Sequence, residues 1–169
     1  MAQLFGFPNP VNERAARTVA AGVLLLASLT IVLGTTVSTS WLWLTAVLAY
    51  GFLARVLTGP RLSPLGQLAT RVVAPRLGPP RFVPGPPKRF AQGMGATMTV
   101  LAVVLHFGFR ADRAALVLLG LIVVAATLES VFAYCIGCKI FAGLMRLGVV
   151  PESVCLECAD VSRRAPQPA

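Results

Sequence analysis

Long runs of apolar residues dominate the sequence pattern. They cover roughly residues 18–37, 41–57, 90–109 and 114–134, and the only polar residues in the first run are Ser and Thr. A helix needs about 20 apolar residues to cross the hydrocarbon core of a bilayer. The first run exceeds the usual core of a secretory signal, and no Ala-x-Ala site follows it, so we expect it to stay in the membrane. The pattern predicts an all-α membrane protein with four transmembrane helices.

The connections between these runs are of two kinds. Only residues 38–40 separate the first two runs, and residues 110–113 form a tight turn between the last two. We therefore expect two antiparallel hairpins, at residues 18–57 and 90–134. They are flanked by an N-terminal segment at residues 1–17, a cysteine-containing segment at 135–158 with a short interfacial helix, and a disordered tail at 159–169.

The segment between the hairpins, residues 58–89, contains eight of the thirteen prolines. Proline lacks a backbone donor and breaks helices and sheets, so we expect an extended, basic connector. One stretch differs, because Ser63 is a good N-cap for a short helix that has Pro64 at its first position. The apolar side chains of that helix would share one face and lie flat on the membrane; the alternative is an unstructured linker. This face comprises Leu65, Leu68, Ala69 and Val72.

Composition and charge support a membrane location. Hydrophobic residues make up 56% of the chain and charged residues 12%, which is far too apolar for a soluble domain. Thirteen of the fifteen Lys and Arg residues flank one end of the predicted spans, and only Arg110 and Arg113 flank the other. This bias predicts that both termini and the middle loop lie in the cytoplasm. The net charge of +9, without interleaved aromatics, favours anionic lipid headgroups over nucleic acid as partner.

His106 is one of three ionisable residues within the predicted spans. At helical spacing it shares a small and polar strip with Gly95, Thr99 and Ala102, a pattern that suits close helix contact. We expect a neutral histidine that points into the bundle and is bonded to a neighbouring helix near the outer interface.

Arg55 and Glu129 are the other two. Their predicted depths differ by only about 5 Å, so they could form a structural ion pair that cancels two charges in the membrane. A second interpretation makes Glu129 a proton acceptor for thiols, since Cys135 lies about 9 Å further along the axis.

The four cysteines form two Cys-x-x-Cys pairs, Cys135/Cys138 and Cys155/Cys158, with sixteen residues between them. This spacing fits a four-cysteine zinc site. The intervening residues 139–150, however, resemble an interfacial helix with an apolar face of Ile140, Leu144 and Leu147.

Thiol exchange or sulfur relay is the competing interpretation. Cys138 would lie near a helix start with Lys139 beside it, and both features favour a reactive thiolate. Glu157 lies within the second pair, and its negative charge disfavours a thiolate there. Cys155 and Cys158 are therefore better suited as resolving or relay thiols. Two further alternatives are a membrane adaptor with a structural zinc site and a small transporter of a sulfur compound. If the cysteines have no functional role, none of these hypotheses has a chemical basis.

Two motifs carry a family resemblance. Asn9-Pro10-Val11-Asn12-Glu13 precedes the first span, and Cys135-Ile136-Gly137-Cys138-Lys139 follows the last. With these motifs the chain resembles an uncharacterised bacterial multi-pass membrane family, a domain of unknown function, from Asn9 to about Cys158. The resemblance implies the bacterial cytoplasmic membrane and thioredoxin-like or rhodanese-like partners, which favours thiol or sulfur chemistry. The asparagines and Glu13 are expected to cap or dock the first helix.

Overall fold

The computed structural model describes residues 7–155, and its architecture is four long helices with shorter ones at their ends. The long helices are α1 (Glu13–Thr36), α2 (Leu44–Thr58), α5 (Gly85–Phe107) and α6 (Asp112–Phe132). A 3-10 turn, Thr39–Trp43, extends α2 at its start. All four are long and apolar enough to cross a membrane, so the predicted number of helices of that length and composition is confirmed.

Large apolar side chains cover the outside of these helices. Leu25 and Leu29 of α1 and Val117 and Val124 of α6 are exposed, whereas small residues such as Ala27 and Ala102 are fully buried. In water this surface would be unfavourable, since each buried apolar side chain contributes about 1.5–3 kcal/mol. The distribution is that of a bundle whose solvent is lipid.

The helices pack through small residues. The most extensive contacts join α1 with α6 and α2 with α5, followed by α5 with α6. Thr99 and Ala102 are fully buried in α5, and Gly95 packs directly against the ring of Phe52 in α2. The predicted small and polar strip of α5 therefore does form a helix contact.

The connector between α2 and α5 is more helical than we expected. It contains α3 (Pro64–Leu68), a π-helical turn (Ala69–Val73) and α4 (Ala74–Arg76). Ser63 caps α3 as predicted, with its side-chain oxygen accepting from the Gly66 amide at 3.2 Å. Of the predicted common face, Leu68 and Val72 are exposed while Ala69 is buried, so these side chains do not share one environment. Tertiary packing explains the difference, since this segment contacts α1. The contact of this face with the membrane stays a prediction.

The N-terminal motif residues hold α1 in place. A short strand β1 (Val11–Asn12) pairs antiparallel with β2 (Phe82–Val83). Asn12 is the N-cap of α1 and accepts from the Arg14 amide at 3.0 Å, and Asn9 accepts from the Gly85 amide at 2.8 Å. The expected capping and docking role of the asparagines is confirmed.

Candidate functional site

The first cysteine pair lies at the start of the last helix. After α6, Ala133 adopts a left-handed conformation, with φ 55°, and turns the chain into α7 (Ile136–Arg146). Cys135 is the N-cap of α7, and its sulfur accepts from the Cys138 amide at 3.3 Å. Cys135 and Cys138 form a disulfide whose Cα atoms are 5.2 Å apart. The pair thus lies within the first turn of a helix, where backbone N–H groups stabilise negative charge on sulfur.

Helix α7 packs closely on the start of α5. A Cβ on Gly137 would lie 2.6 Å from the Cα of Ala91, so only glycine permits this approach. Phe141 is buried, and its ring centroid lies 5.6 Å from that of Phe90. Ile140 and Leu147 of the predicted interfacial face are exposed, whereas Gly137 and Phe141, on another side of the helix, make the contact with α5. The disulfide is therefore held against the bundle rather than carried on a loose tail. That the exposed face lies on the membrane stays a prediction.

Glu129 does not pair with Arg55 as predicted. Its carboxylate forms an ion pair with Lys88 in the first turn of α5. Arg55 instead donates from Nε to Gln92 Oε1 at 2.9 Å and from Nη1 to Ser63 Oγ at 3.2 Å, with its guanidinium 4.6 Å from the Phe52 ring centroid. The predicted similarity in depth did not identify the partner of either residue.

A cavity of about 130 Å³ lies beside the disulfide. Its lining includes Cys135, Glu129 and Lys88, together with apolar residues of α1, α5 and α6. The structure therefore brings Glu129 and Cys135 to the wall of one cavity. Lys88 was not identified as a site residue from the sequence, because the prolines before it indicated a non-helical connector. Pro86 and Pro87 in fact lie in the first turn of α5, where proline is tolerated.

Lys139 follows Cys138 directly and is exposed at the surface. Its ammonium group lies 5.7 Å from the centroid of the Tyr134 ring. The lysine is thus adjacent to the disulfide in the chain, while its charge is directed at a neighbouring aromatic face. Its predicted effect on the thiols stays a prediction.

Only Cys155 of the second cysteine pair lies within the described residues. Cys155 is buried and disulfide-bonded. Cys158 lies outside the described residues, as do the predicted roles that fall on it. Within residues 7–155, no cluster of three or more His, Cys, Asp or Glu side chains could hold a metal ion. The four-cysteine zinc site therefore stays a prediction.

His106 lies in the last turn of α5 and contacts the first turn of α6. Its Nδ1 lies 2.7 Å from Oδ1 of Asp112, which is in the first turn of α6, and its side chain is largely buried. The expected partner on a neighbouring helix is confirmed, and this pair lies at the turn between α5 and α6, away from the disulfide.

A family model described as a domain of unknown function, DUF4395, matches residues 11–146. The chain belongs to the DUF4395 family. The match covers all four long helices and α7, so Cys135 and Cys138 belong to the DUF4395 domain while Cys155 follows it. Comparison with curated proteins and with solved structures gives no match.

Proposed function

We propose that this protein is a membrane-anchored dithiol protein that carries out thiol–disulfide exchange or sulfur relay with a soluble partner. The observation that carries the proposal is the Cys135–Cys138 disulfide in the first turn of α7, packed against the bundle through Gly137. A Cys-x-x-Cys pair at a helix start is a chemically reactive arrangement.

Cys135 is the better nucleophile of the pair. Its sulfur is the N-cap atom that accepts from the Cys138 amide, and this hydrogen bond together with the helix dipole favours the thiolate over the thiol. Cys138, one turn further along, is placed to attack Cys135 Sγ and resolve an intermediate. Among the described residues, no backbone amide donates to the Cys138 sulfur in this way.

Exchange then follows two balanced steps. The reduced Cys135 thiolate attacks a partner disulfide, forming a mixed disulfide and releasing one partner thiolate. The Cys138 thiolate attacks Cys135 Sγ, which closes the intramolecular disulfide and releases the second partner thiolate. Two electrons pass to the partner, and the reverse sequence oxidises a partner dithiol.

Sulfur relay uses the same nucleophile. The Cys135 thiolate attacks the terminal sulfur of a partner persulfide, which leaves a Cys135 persulfide and a partner thiolate. Glu129, which lines the same cavity as Cys135, is the nearby carboxylate suited to accept a thiol proton. We assign Cys155 and Cys158 as resolving or relay thiols for either path.

We further propose that the four spans form two antiparallel hairpins in the bacterial cytoplasmic membrane, with both termini in the cytoplasm and basic flanks on anionic headgroups. The excess of Lys and Arg at one end of the spans supports this orientation. In a reducing cytoplasm a Cys135–Cys138 disulfide would be transient, which is the behaviour expected of a catalytic or sensing pair.

Trapping tests the proposal. In a chain that already carries Cys155→Ser and Cys158→Ser, Cys138→Ser leaves Cys135 without a resolving thiol, so it should accumulate a mixed disulfide with an oxidised thioredoxin, visible as a reducible gel shift. Cys135→Ser is the matched control and should trap far less. Equal trapping by both variants, or by neither, would contradict the assignment of Cys135.

Elemental analysis separates the zinc alternative. Protein purified under reducing conditions should contain no stoichiometric zinc and should show titratable thiols. One zinc per chain without titratable thiols would refute exchange in favour of an adaptor. Orientation is tested on intact cells treated with a permeant reductant, where an impermeant maleimide should leave the thiols unlabelled; rapid labelling would refute the cytoplasmic assignment.

A further inference from the structure

Arg55 is a buried cation without a counter-charge. It is 5% exposed and lies in the last turn of α2. Within residues 7–155 the ion pairs are Lys88–Glu129 and His106–Asp112, so no described carboxylate neutralises Arg55. The end of α2 offers only about half a negative charge from its backbone dipoles.

The guanidinium is also incompletely hydrogen-bonded. Nε and Nη1 donate to Gln92 and Ser63, but Nη2 is buried and has no partner among the described residues. A buried donor without an acceptor is costly, and an ionisable group in a membrane bundle without a counter-ion more so. Both deficits would be removed by one oxygen anion.

Space for such a group adjoins Arg55. A cavity of about 260 Å³ is lined by Arg55, Lys88, Gln92 and Asn12, with the remainder of its wall mostly apolar. This volume corresponds to several water molecules at about 30 Å³ each, enough for a phosphate-sized group. The Lys88 charge is already matched by Glu129, so the unmatched charge at the wall belongs to Arg55.

We propose that this cavity is an oxyanion-binding site in which the free Nη2 of Arg55 donates to a phosphate-type oxygen. The group could be supplied as free inorganic phosphate or as the headgroup of an anionic phospholipid, and both present the same acceptor chemistry. A guanidinium suits this role because its fork can present two donors to one oxyanion. The site adjoins the cavity beside the disulfide, with which it shares Lys88 and Gln92, but it does not include Cys135 and does not depend on the exchange chemistry proposed above.

Ligand-dependent thermal stability tests the site on the full chain in detergent. The probes are inorganic phosphate against chloride at equal ionic strength, and phosphatidylglycerol against phosphatidylcholine in mixed micelles. A ligand at a hundredfold excess over its Kd should raise Tm by roughly 5–10 °C. Arg55→Gln should lose most of this shift, while Arg71→Gln, which removes one exposed charge, should keep it.

The outcomes are distinct. A shift with phosphate supports a site open to free oxyanions, and a shift with phosphatidylglycerol alone supports a lipid headgroup site. No shift with either probe, an equal shift in chloride, or an equal shift in Arg55→Gln overturns the proposal. If Arg55→Gln fails to fold, Arg55→Lys retains the charge without the fork and should bind about tenfold more weakly, so unchanged binding by that variant also overturns the site.

Discussion

Gly137→Ala tests how closely the disulfide-bearing helix is held to the bundle. The added Cβ would lie 2.6 Å from Cα and Cβ of Ala91, where carbon atoms normally keep about 3.5–4.0 Å. About 1 Å of separation must therefore be created, and the Cα of Ala91 is backbone that cannot rotate away. Overpacking costs about 1–3 kcal/mol, and we expect the upper half of that range here.

A cost of about 2–3 kcal/mol raises the population of undocked α7 roughly 30- to 150-fold. Trypsin cleavage after Lys139, within α7, measures that population because the protease requires a locally opened chain. Gly143→Ala is the matched control in the same helix, since its added Cβ meets no atom within 4 Å, and it should slow cleavage slightly through better helix propensity. Similar cleavage rates for the two variants would refute close docking.

Three further changes probe the groups around the bundle. Lys88→Met should lower the free energy of unfolding by about 3 kcal/mol, because it leaves the largely buried Glu129 carboxylate without its counter-charge. Thermal unfolding in detergent measures this, and the double variant with Glu129→Gln should recover most of the loss. An unchanged Tm in Lys88→Met would contradict the ion pair. Asn12→Ala should cost about 1 kcal/mol through loss of the α1 cap, and a cost equal to that of Arg71→Ala, at an exposed position, would count against it. Asp112→Ala should cost about 0.5–1 kcal/mol by removing the His106 contact and the charge at the start of α6, with most of the effect abolished in His106→Ala if the contact dominates.

The spans were predictable because membrane thickness sets helix length. The helices otherwise begin and end within a few residues of their apolar runs, but α1 starts at Glu13 rather than residue 18, and the start of α5 is displaced by the same amount. We placed it near residue 90, whereas it begins at Gly85. Pro86 and Pro87 were interpreted as breakers, although the first turn of a helix has free N–H groups and loses nothing to proline.

Side-chain partners were not predictable in the same way. Hydropathy gives the depth of Arg55 and Glu129 but not the rotation of their helices, so it could not show that Lys88 reaches Glu129 first. The bundle-facing side of α7 was not predictable for a related reason. α7 contacts α5 through Gly137, which allows the close approach because it has no side chain. A hydrophobic pattern gives no signal for such a contact.

Arg17 joins the beginning of the chain to its last span. From α1 it donates to the carbonyl oxygens of Ser130 and Val131, at 2.9–3.1 Å, which are among the carbonyls left unpaired at the end of α6. During synthesis these acceptors emerge more than a hundred residues after the donor. This contact between α1 and α6 can therefore form only after the whole of α6 has been synthesised.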